Sequence, residues 1–474
     1  MKNKLVKNSI VFTGMTVLQR GIAFLLLPLY TGILSPEQYG ISNMVTSVCA
    51  VYTLLFSLAM DDTVARFYFQ YKEDKHKLKE VVGTLLIISV LVSLLGGMIL
   101  LVFNCIFLKP FLSNIPLNPD IILGVIPVIL CSVYNIVQKM LIIEEKAMHY
   151  SINTMLFFII NTLLTILFIV KMNMGATGLL LASAITYIIF FIYSIIYLLP
   201  KISLKFNSQV ANEGLRYGLI LLPNRIASWG LSYLNKIVLG NFISAAVVGI
   251  YNIAMNFSSI LSIFANCFSF ALQPWVYKQL ENKERGKVNI ISLTNIISIV
   301  FCMTGFGVSL FSKEVITFFI NSRYFDAIYI IPILVLGGVF SAYSTLFVYV
   351  LFYYKEKTKY VTISTFVGAL INVLLSITLT PYIGTIGSAL SVTIADIVIC
   401  IIKTVYSIKA LKININVMPM YLLAIISTII ALVAQHYFFT LAFKILIYII
   451  SLVLIIFIYN KQIKSLINLL KIIN

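Results

Sequence analysis

Apolar residues in this chain gather into long runs parted by short polar segments, from one end of the sequence to the other. Crossing a bilayer as a helix takes roughly 20 consecutive apolar residues. Strands of a membrane barrel would instead need alternating apolar and polar positions, which these runs lack. The pattern predicts an all-α polytopic membrane protein of about fourteen transmembrane helices. Six spans lie near residues 9–33, 41–64, 81–108, 120–142, 151–171 and 176–199. Six more lie near 215–240, 246–274, 288–310, 327–353, 359–381 and 385–408, and a last pair near 417–436 and 439–459. Spans so closely spaced leave no room for a soluble domain.

The pattern also repeats. Sliding the chain along itself by 209 residues lays Ser35–Asn43 over Ser244–Asn252, and Ser35/Ser244, Gly40/Gly249, Ile41/Ile250 and Asn43/Asn252 coincide without a gap. The same shift pairs Gly21 with Gly230, Gly175 with Gly384 and Gly178 with Gly387. Matches at one offset, in one order and in equivalent hydropathy settings, point to duplication. The expected organisation is a six-helix lobe over 1–205, a second over 206–412, and two additional helices with a cytoplasmic tail over 413–474. Many transporters are built from paired repeats with a site between them.

Composition strengthens the membrane assignment. The chain is 61% apolar and 11% charged, with a mean hydropathy of +1.03; soluble domains carry about 25% charged residues. The net charge of +18 would suit nucleic acid or anionic lipid, so its placement matters. With the amino terminus inside, 26 of the 34 Lys and Arg fall in cytoplasmic segments, against five (Lys109, Lys171, Lys313, Arg323, Lys444) outside. That asymmetry is the positive-inside signal. It predicts cytoplasmic termini and accounts for the basic balance without a nucleic-acid partner. The first 33 residues look like a signal peptide only superficially, because their apolar stretch is long, carries Arg20 and meets no small-residue cleavage site. Span one is expected to be retained.

Catalytic chemistry finds no motif. Walker loops, HExxH, nucleophile elbows and metal-spaced His/Cys clusters are absent from the sequence. The six cysteines sit in or beside apolar spans and read as buried small side chains. No enzyme activity, metal or cofactor is expected, and transport would run on an ion gradient, the membrane potential or a partner.

Polar groups inside the spans carry the functional signal, since an ionisable residue at the bilayer centre costs roughly 2.5–3.5 kcal/mol on insertion scales and usually faces a cavity. Three cations lie well inside spans: Arg20 in span one, Arg225 and Lys236 in span seven, and these two spans are repeat equivalents. Arg225, Ser228, Trp229, Ser232 and Lys236 recur at spacings of three and four, which puts them on one helix face. Thr13, Thr16, Gln19 and Arg20 form a similar strip on span one. Lys236, close to the outer end, also fits snorkelling. Span eight carries Asn252, Asn256, Ser259, Ser262, Asn266, Ser269 and Gln273 in register, and span two carries Asn43, Thr46, Ser47, Ser57 and Asp61. Seven polar residues on one face fit a hydrated wall better than scattered interhelical hydrogen bonds. Pro28 and Pro223 interrupt spans one and seven, where each removes a backbone hydrogen bond.

These strips predict a polar, cationic chamber between two six-helix bundles, suited to an anionic ligand such as a diphosphate. Acidic residues are few. Asp61 and Asp62 close span two on the cytoplasmic side, where an i,i+4 ion pair between Asp62 and Arg66 is expected. A gate role for that pair is the sharper alternative. Asp396, mid-span twelve, has three roles open to it: balancing a cavity arginine, carrying a coupling proton, or bonding a neighbouring helix.

The segment Lys7–Ser9, then Pro28–Tyr30, Leu34–Gly40 and Asp62–Tyr68 resembles the polysaccharide transporter family. These are the Wzx-type oligosaccharide flippases of the multidrug/oligosaccharidyl-lipid/polysaccharide exporter superfamily. The resemblance covers essentially the whole chain, because six-plus-six-plus-two spans is also that family's plan. It implies a MATE-like fold in the bacterial cytoplasmic membrane and flipping of an undecaprenyl-diphosphate-linked oligosaccharide by alternating access, for O-antigen, capsule or another surface glycan. It further implies that a central cationic cavity takes the diphosphate and sugars, a role that Arg20, Arg225 and Lys236 fit here. A polysaccharide polymerase and glycosyltransferases are the implied partners, beside membrane lipid. Related lipid II flippases bind lipid in a groove at spans thirteen and fourteen.

Two rivals stand beside this reading. An ion-coupled multidrug or metabolite exporter of the same superfamily typically holds a carboxylate in its amino-terminal lobe, yet span one has no Asp or Glu and carries Arg20. A membrane polymerase or glycosyltransferase usually needs a long external loop with catalytic residues, and the longest one here, about 311–326, has only Lys313, Glu314, Arg323 and Asp326 charged.

Overall fold

A computed structural model describes residues 2–112, 115–412, 417–437 and 439–458. Sixteen α-helices account for nearly all of them, and the described residues contain no strand. Span one is α1 (Lys2–Leu25) and α2 (Leu27–Ile33), broken just before Pro28, whose missing N–H weakens the helix there. Span two is α3 (Pro36–Ser57) and α4 (Met60–Tyr71), broken at Leu58–Ala59. Span three is α5 (Lys75–Val102), followed by the short α6 (Asn104–Phe107). Spans four to six follow as α7 (Ile122–Ile143), α8 (Ala147–Ile166) and α9 (Gly175–Leu198). Spans seven to ten are α10 (Ser208–Phe242), α11 (Ala245–Glu281), α12 (Lys283–Phe319) and α13 (Ala327–Tyr353). The continuous α14 (Lys359–Leu411) bends sharply at Ile383–Gly384, so it makes two passes, and α15 (Met418–His436) and α16 (Leu441–Ile458) complete the set.

Among the described residues, eleven helical segments are long and apolar enough to cross a bilayer. Three details bring these to the fourteen passes expected. One of the eleven is Lys355–Leu411, which the bend makes two, and Leu441–Ile455 is a shorter apolar helix. The third is α10, ample at 35 residues but diluted by Glu213, Arg216, Arg225 and Lys236. The polarity of α10 is itself a functional signal.

Local chemistry explains where helices start. Ser35 forms a capping box with Gln38: its Oγ accepts from the Gln38 N–H at 3.2 Å, while its own N–H donates to Gln38 Oε1 at 3.1 Å. The repeat-equivalent Ser244 accepts from the Val247 N–H at 3.4 Å and opens α11 in the same way. Gly175 and Gly384, also 209 residues apart, are the positive-φ glycines among the described residues, at φ +56° and +58°. Duplication is thus visible in backbone conformation as well as in sequence.

The chain divides between Gly249 and Ile250 into two compact units. In the first, α7 is the central helix: α3, α4, α5 and α9 all pack on it. Gly97 and Gly124 make this possible, since a Cβ at either would run into Ile129 or Val45. In the second unit the equivalent helix six spans later, α13, holds the same position, with α12, α14 and α15 around it. Of the candidate spans these two are the most buried. An ion pair buried on its lysine side joins α16 to α12 in that unit: Lys444, counted among the outer cations, is 0% exposed and bonds Glu314 at 2.8 Å. Gln435 of α15 donates to the Ser309 carbonyl at 2.7 Å and to Ser312 Oγ at 2.6 Å, fixing a third helix to the same face of α12.

Candidate functional site

The polar face foreseen on span seven meets the polar strip foreseen on span two, within the first unit. Three contacts join α10 to α3 and α4. Lys236 donates to Asn43 Oδ1 at 3.3 Å, the Trp229 indole N–H donates to the Ser47 carbonyl at 3.0 Å, and Arg225 pairs with Asp61 at 2.9 Å and Asp62 at 2.5 Å. Spacings of four and seven along α10 bring all three side chains to one side.

The break in span two creates the carboxylate end of this ladder. Leu58 and Ala59 adopt left-handed φ of +48° and +52°, a conformation that costs an L-residue roughly 1–2 kcal/mol. Beyond the break, Asp61 and Asp62 occupy the first turn of α4, where the helix dipole favours negative charge. Gly218 lets α10 approach closely, because a Cβ there would lie 2.1 Å from the Leu58 carbonyl oxygen. Asp62 takes a further partner in Lys139 of α7, at 2.6 Å. The result is two carboxylates facing two cations, each between a sixth and a third exposed.

Arg225, expected on a cationic cavity wall, pairs with Asp61 and Asp62. One expectation is corrected here. The ion pair expected between Asp62 and Arg66 does not form: Asp62 spends its carboxylate on Arg225 and Lys139, and Arg66 lies 4.3 Å over the Tyr217 ring instead. The partly buried partners win because charge pairing strengthens as water is excluded, whereas a surface i,i+4 pair contributes only about 0.3–0.5 kcal/mol. Lys139 was missed: it lies a turn before the inner end of span four and was absorbed into the positive-inside pattern.

Above the charge cluster, α3, α7, α9 and α10 enclose a cavity of about 540 Å³, within the range of small-molecule sites. Arg225, Ser228, Trp229 and Ser232 form its α10 wall, faced by Thr46 and Thr53 of α3 and Tyr187 of α9. All belong to the first unit. Tyr187 was not singled out from sequence, because a lone tyrosine in an apolar span carries no periodic signal.

Other candidate residues are not brought to this cavity. Arg20 stands exposed on α1, which packs against α8, and neither it nor Thr16 or Gln19 lines the cavity. On α11, Asn252 is buried, Asn256 and Ser259 are half-buried, and Asn266 and Gln273 are exposed. Asp396 lies on the second pass of α14 against α13, where a Cβ on Gly337 would come within 3.2 Å of its Oδ2. Pro223 leaves α10 unbroken, unlike Pro28 in span one.

Residues 5–280, more than half of the chain, match the polysaccharide biosynthesis protein family. The chain belongs to that family. An uncharacterized membrane protein of Methanocaldococcus jannaschii is 22% identical over 427 residues, 86% of this chain and 99% of the relative. The fold is shared with the lipid II flippase MurJ in an inward closed conformation, at a TM-score of 0.74 and 17% identity over 96% of this chain and 100% of MurJ. An inward-facing multidrug resistance MATE transporter of the MOP superfamily follows at 0.61 and 13% identity, over 85% of this chain and 99% of that one. This member of the polysaccharide biosynthesis family is accordingly a multi-pass membrane protein with the exporter-superfamily fold that its sequence predicts.

Proposed function

We propose that the protein is a flippase that moves an undecaprenyl-diphosphate-linked oligosaccharide from the inner to the outer leaflet of the bacterial cytoplasmic membrane by alternating access. Arg225 on the wall of a membrane-embedded polar cavity is the observation that carries the reading. Its guanidinium is held by Asp61 and Asp62 in this state. A diphosphate offers the same bidentate oxygens with more charge, so it can take their place. In this reading Lys236 and Arg20 extend the cationic path, the polar face of α11 from Asn252 to Gln273 supplies a hydrated wall, and Asp396 serves coupling. The lobes 1–205 and 206–412 would move about that path. The apolar groove of about 420 Å³ among α12, α15 and α16, lined by residues such as Phe306, Leu422, Ile426 and Leu454, suits the polyprenyl tail. Both termini face the cytoplasm, a polymerase and glycosyltransferases act before and after the flip, and no catalytic step, metal or cofactor belongs to the protein itself.

The test is the lipid-linked oligosaccharide pool of cells with and without the protein, resolved by leaflet. Inner-leaflet accumulation on deletion, restored by the wild type but not by Arg225→Ala, is the expected result. An unchanged pool with altered sensitivity to cationic drugs would favour the ion-coupled exporter. That alternative has one observation behind it, the two carboxylates beside the cavity, though each already faces a cation.

A further inference from the structure

The walls of the cavity in the first unit have a chemistry that the charge cluster does not use. Trp229 lines the cavity and is anchored there by its indole N–H on the Ser47 carbonyl, which restrains the ring. Tyr187 stands opposite, braced edge-on by Phe157 with ring centroids 5.0 Å apart, and Tyr233 adds a third ring. Between the rings lie hydroxyls with a common feature. Thr46, Thr53, Ser228 and Ser232 each donate their single proton to a carbonyl one turn back on their own helix, at 2.7–3.1 Å. Each oxygen keeps acceptor lone pairs and has no proton left to give. The cavity wall therefore combines aromatic rings with hydroxyl acceptors, beside the donors of Asn224 and Arg225.

Three ligand classes can be weighed against that surface. A lipid tail would leave the acceptors unpaired, a loss for each desolvated group. An organic cation would suit aromatic faces and acceptors, but the Arg225 guanidinium forms part of the same wall. A sugar ring brings hydroxyl donors around its edge and an apolar C–H face, which answers both features at once. We propose that this cavity is a carbohydrate subsite contained within the first unit, in which a pyranose ring stacks on Trp229 and Tyr187 while its hydroxyls donate to Ser228, Ser232, Thr46 and Thr53. The inference rests on the flippase reading only for the origin of the sugar; the recognition is a property of the walls.

The chain has two tryptophans, Trp229 and Trp275, so Trp275→Phe leaves Trp229 as sole reporter. With that protein in lipid nanodiscs, a neutral disaccharide (maltose or N,N′-diacetylchitobiose) should change the emission saturably and tetramethylammonium should not. Saturation-transfer NMR on the disaccharide reads variants that lack the fluorophore. Trp229→Phe, which loses the Ser47 bond but keeps an aromatic face, should retain transfer; Trp229→Leu, of apolar bulk without a ring, and Tyr187→Ala should each lose it at least tenfold. Saturation by tetramethylammonium instead of sugar, or no saturable response to either in folded protein, overturns the subsite. So does equal transfer to Trp229→Phe and Trp229→Leu. Sugar binding by a protein whose deletion leaves the leaflet pool unchanged would sink the flippase and spare the subsite, and the reverse result would do the opposite.

Discussion

Gly40 and Gly249, which occupy the same place in the two sequence repeats, touch each other. A Cβ on Gly40 would lie 1.6 Å from the Ala245 carbonyl oxygen and 3.1 Å from the Gly249 nitrogen, while one on Gly249 would lie 2.1 Å from the Pro36 carbonyl oxygen and 3.2 Å from the Gly40 nitrogen. The first turns of α3 and α11 cross there backbone to backbone, which only glycine at both positions allows.

Either Gly40→Ala or Gly249→Ala should be destabilising, since the obstacles are backbone atoms that cannot rotate away. The overpacking range of about 1–3 kcal/mol applies. Thermal denaturation in detergent checks this, and an unchanged midpoint for both variants would mean that the crossing opens freely.

The charge cluster makes a prediction about order of removal. Arg225→Ala leaves Asp61 and Asp62 facing Lys139 alone, so folded yield should drop along with export. The cost should stay below the roughly 3–5 kcal/mol of a fully buried pair, because the guanidinium is 23% exposed. Removing charge on both sides, with Asp61→Asn and Arg225→Gln together, leaves the Asp62–Lys139 pair in place and should recover yield without recovering export. Recovery of both would assign the cluster a structural role only.

Lys444 and Glu314 should respond unequally to mutation. Glu314→Gln strands a fully buried ammonium and should cost about 3–5 kcal/mol, whereas Lys444→Met leaves a carboxylate on a side chain that is 28% exposed and should be milder. Equal midpoint shifts on thermal denaturation would argue against the pair as drawn.

Glu144, in the turn between α7 and α8, gives a pH dependence outside the membrane. Partial burial would by itself raise its pKa, but Lys146 at 2.6 Å and Lys201 at 3.0 Å outweigh that and hold the carboxyl below the usual glutamate range. A depressed folded pKa means that the stabilisation is complete above the unfolded value, about 4.3, and is lost as pH falls through the folded one. Wild-type stability should therefore decline faster than that of Glu144→Gln below about pH 4. Parallel curves would show the pairs to be solvent-screened.

Much of this was legible in the sequence, because hydropathy and periodicity are local properties. The helical spans, the 209-residue repeat and the polar face of α10 all follow from residues near one another in the chain. Pairings across long separations did not. Asp62 finds Lys139 and Arg225 through the packing of α4 against α7 and α10, while its sequence neighbour Arg66 turns to Tyr217. Lys444 counts as an outer cation in the sequence because it lies near the outer end of its span, and its burial depends on a partner far along the chain, Glu314 on α12. The break at Leu58–Ala59 had no herald at all, since neither Gly nor Pro stands there.

That last feature has a wider meaning. A bend written in glycine is merely permitted; a bend written in leucine and alanine must be held. Each of the two residues would regain roughly 1–2 kcal/mol by leaving the left-handed region, and what stands against that release is the packing of α10 on the Leu58 carbonyl together with the grip of Arg225 and Lys139 on the carboxylates just beyond. If the proposed anion draws the arginine away, one of those holds is lost, so a distance probe across residues 58 and 59 is expected to register its arrival without touching the ligand.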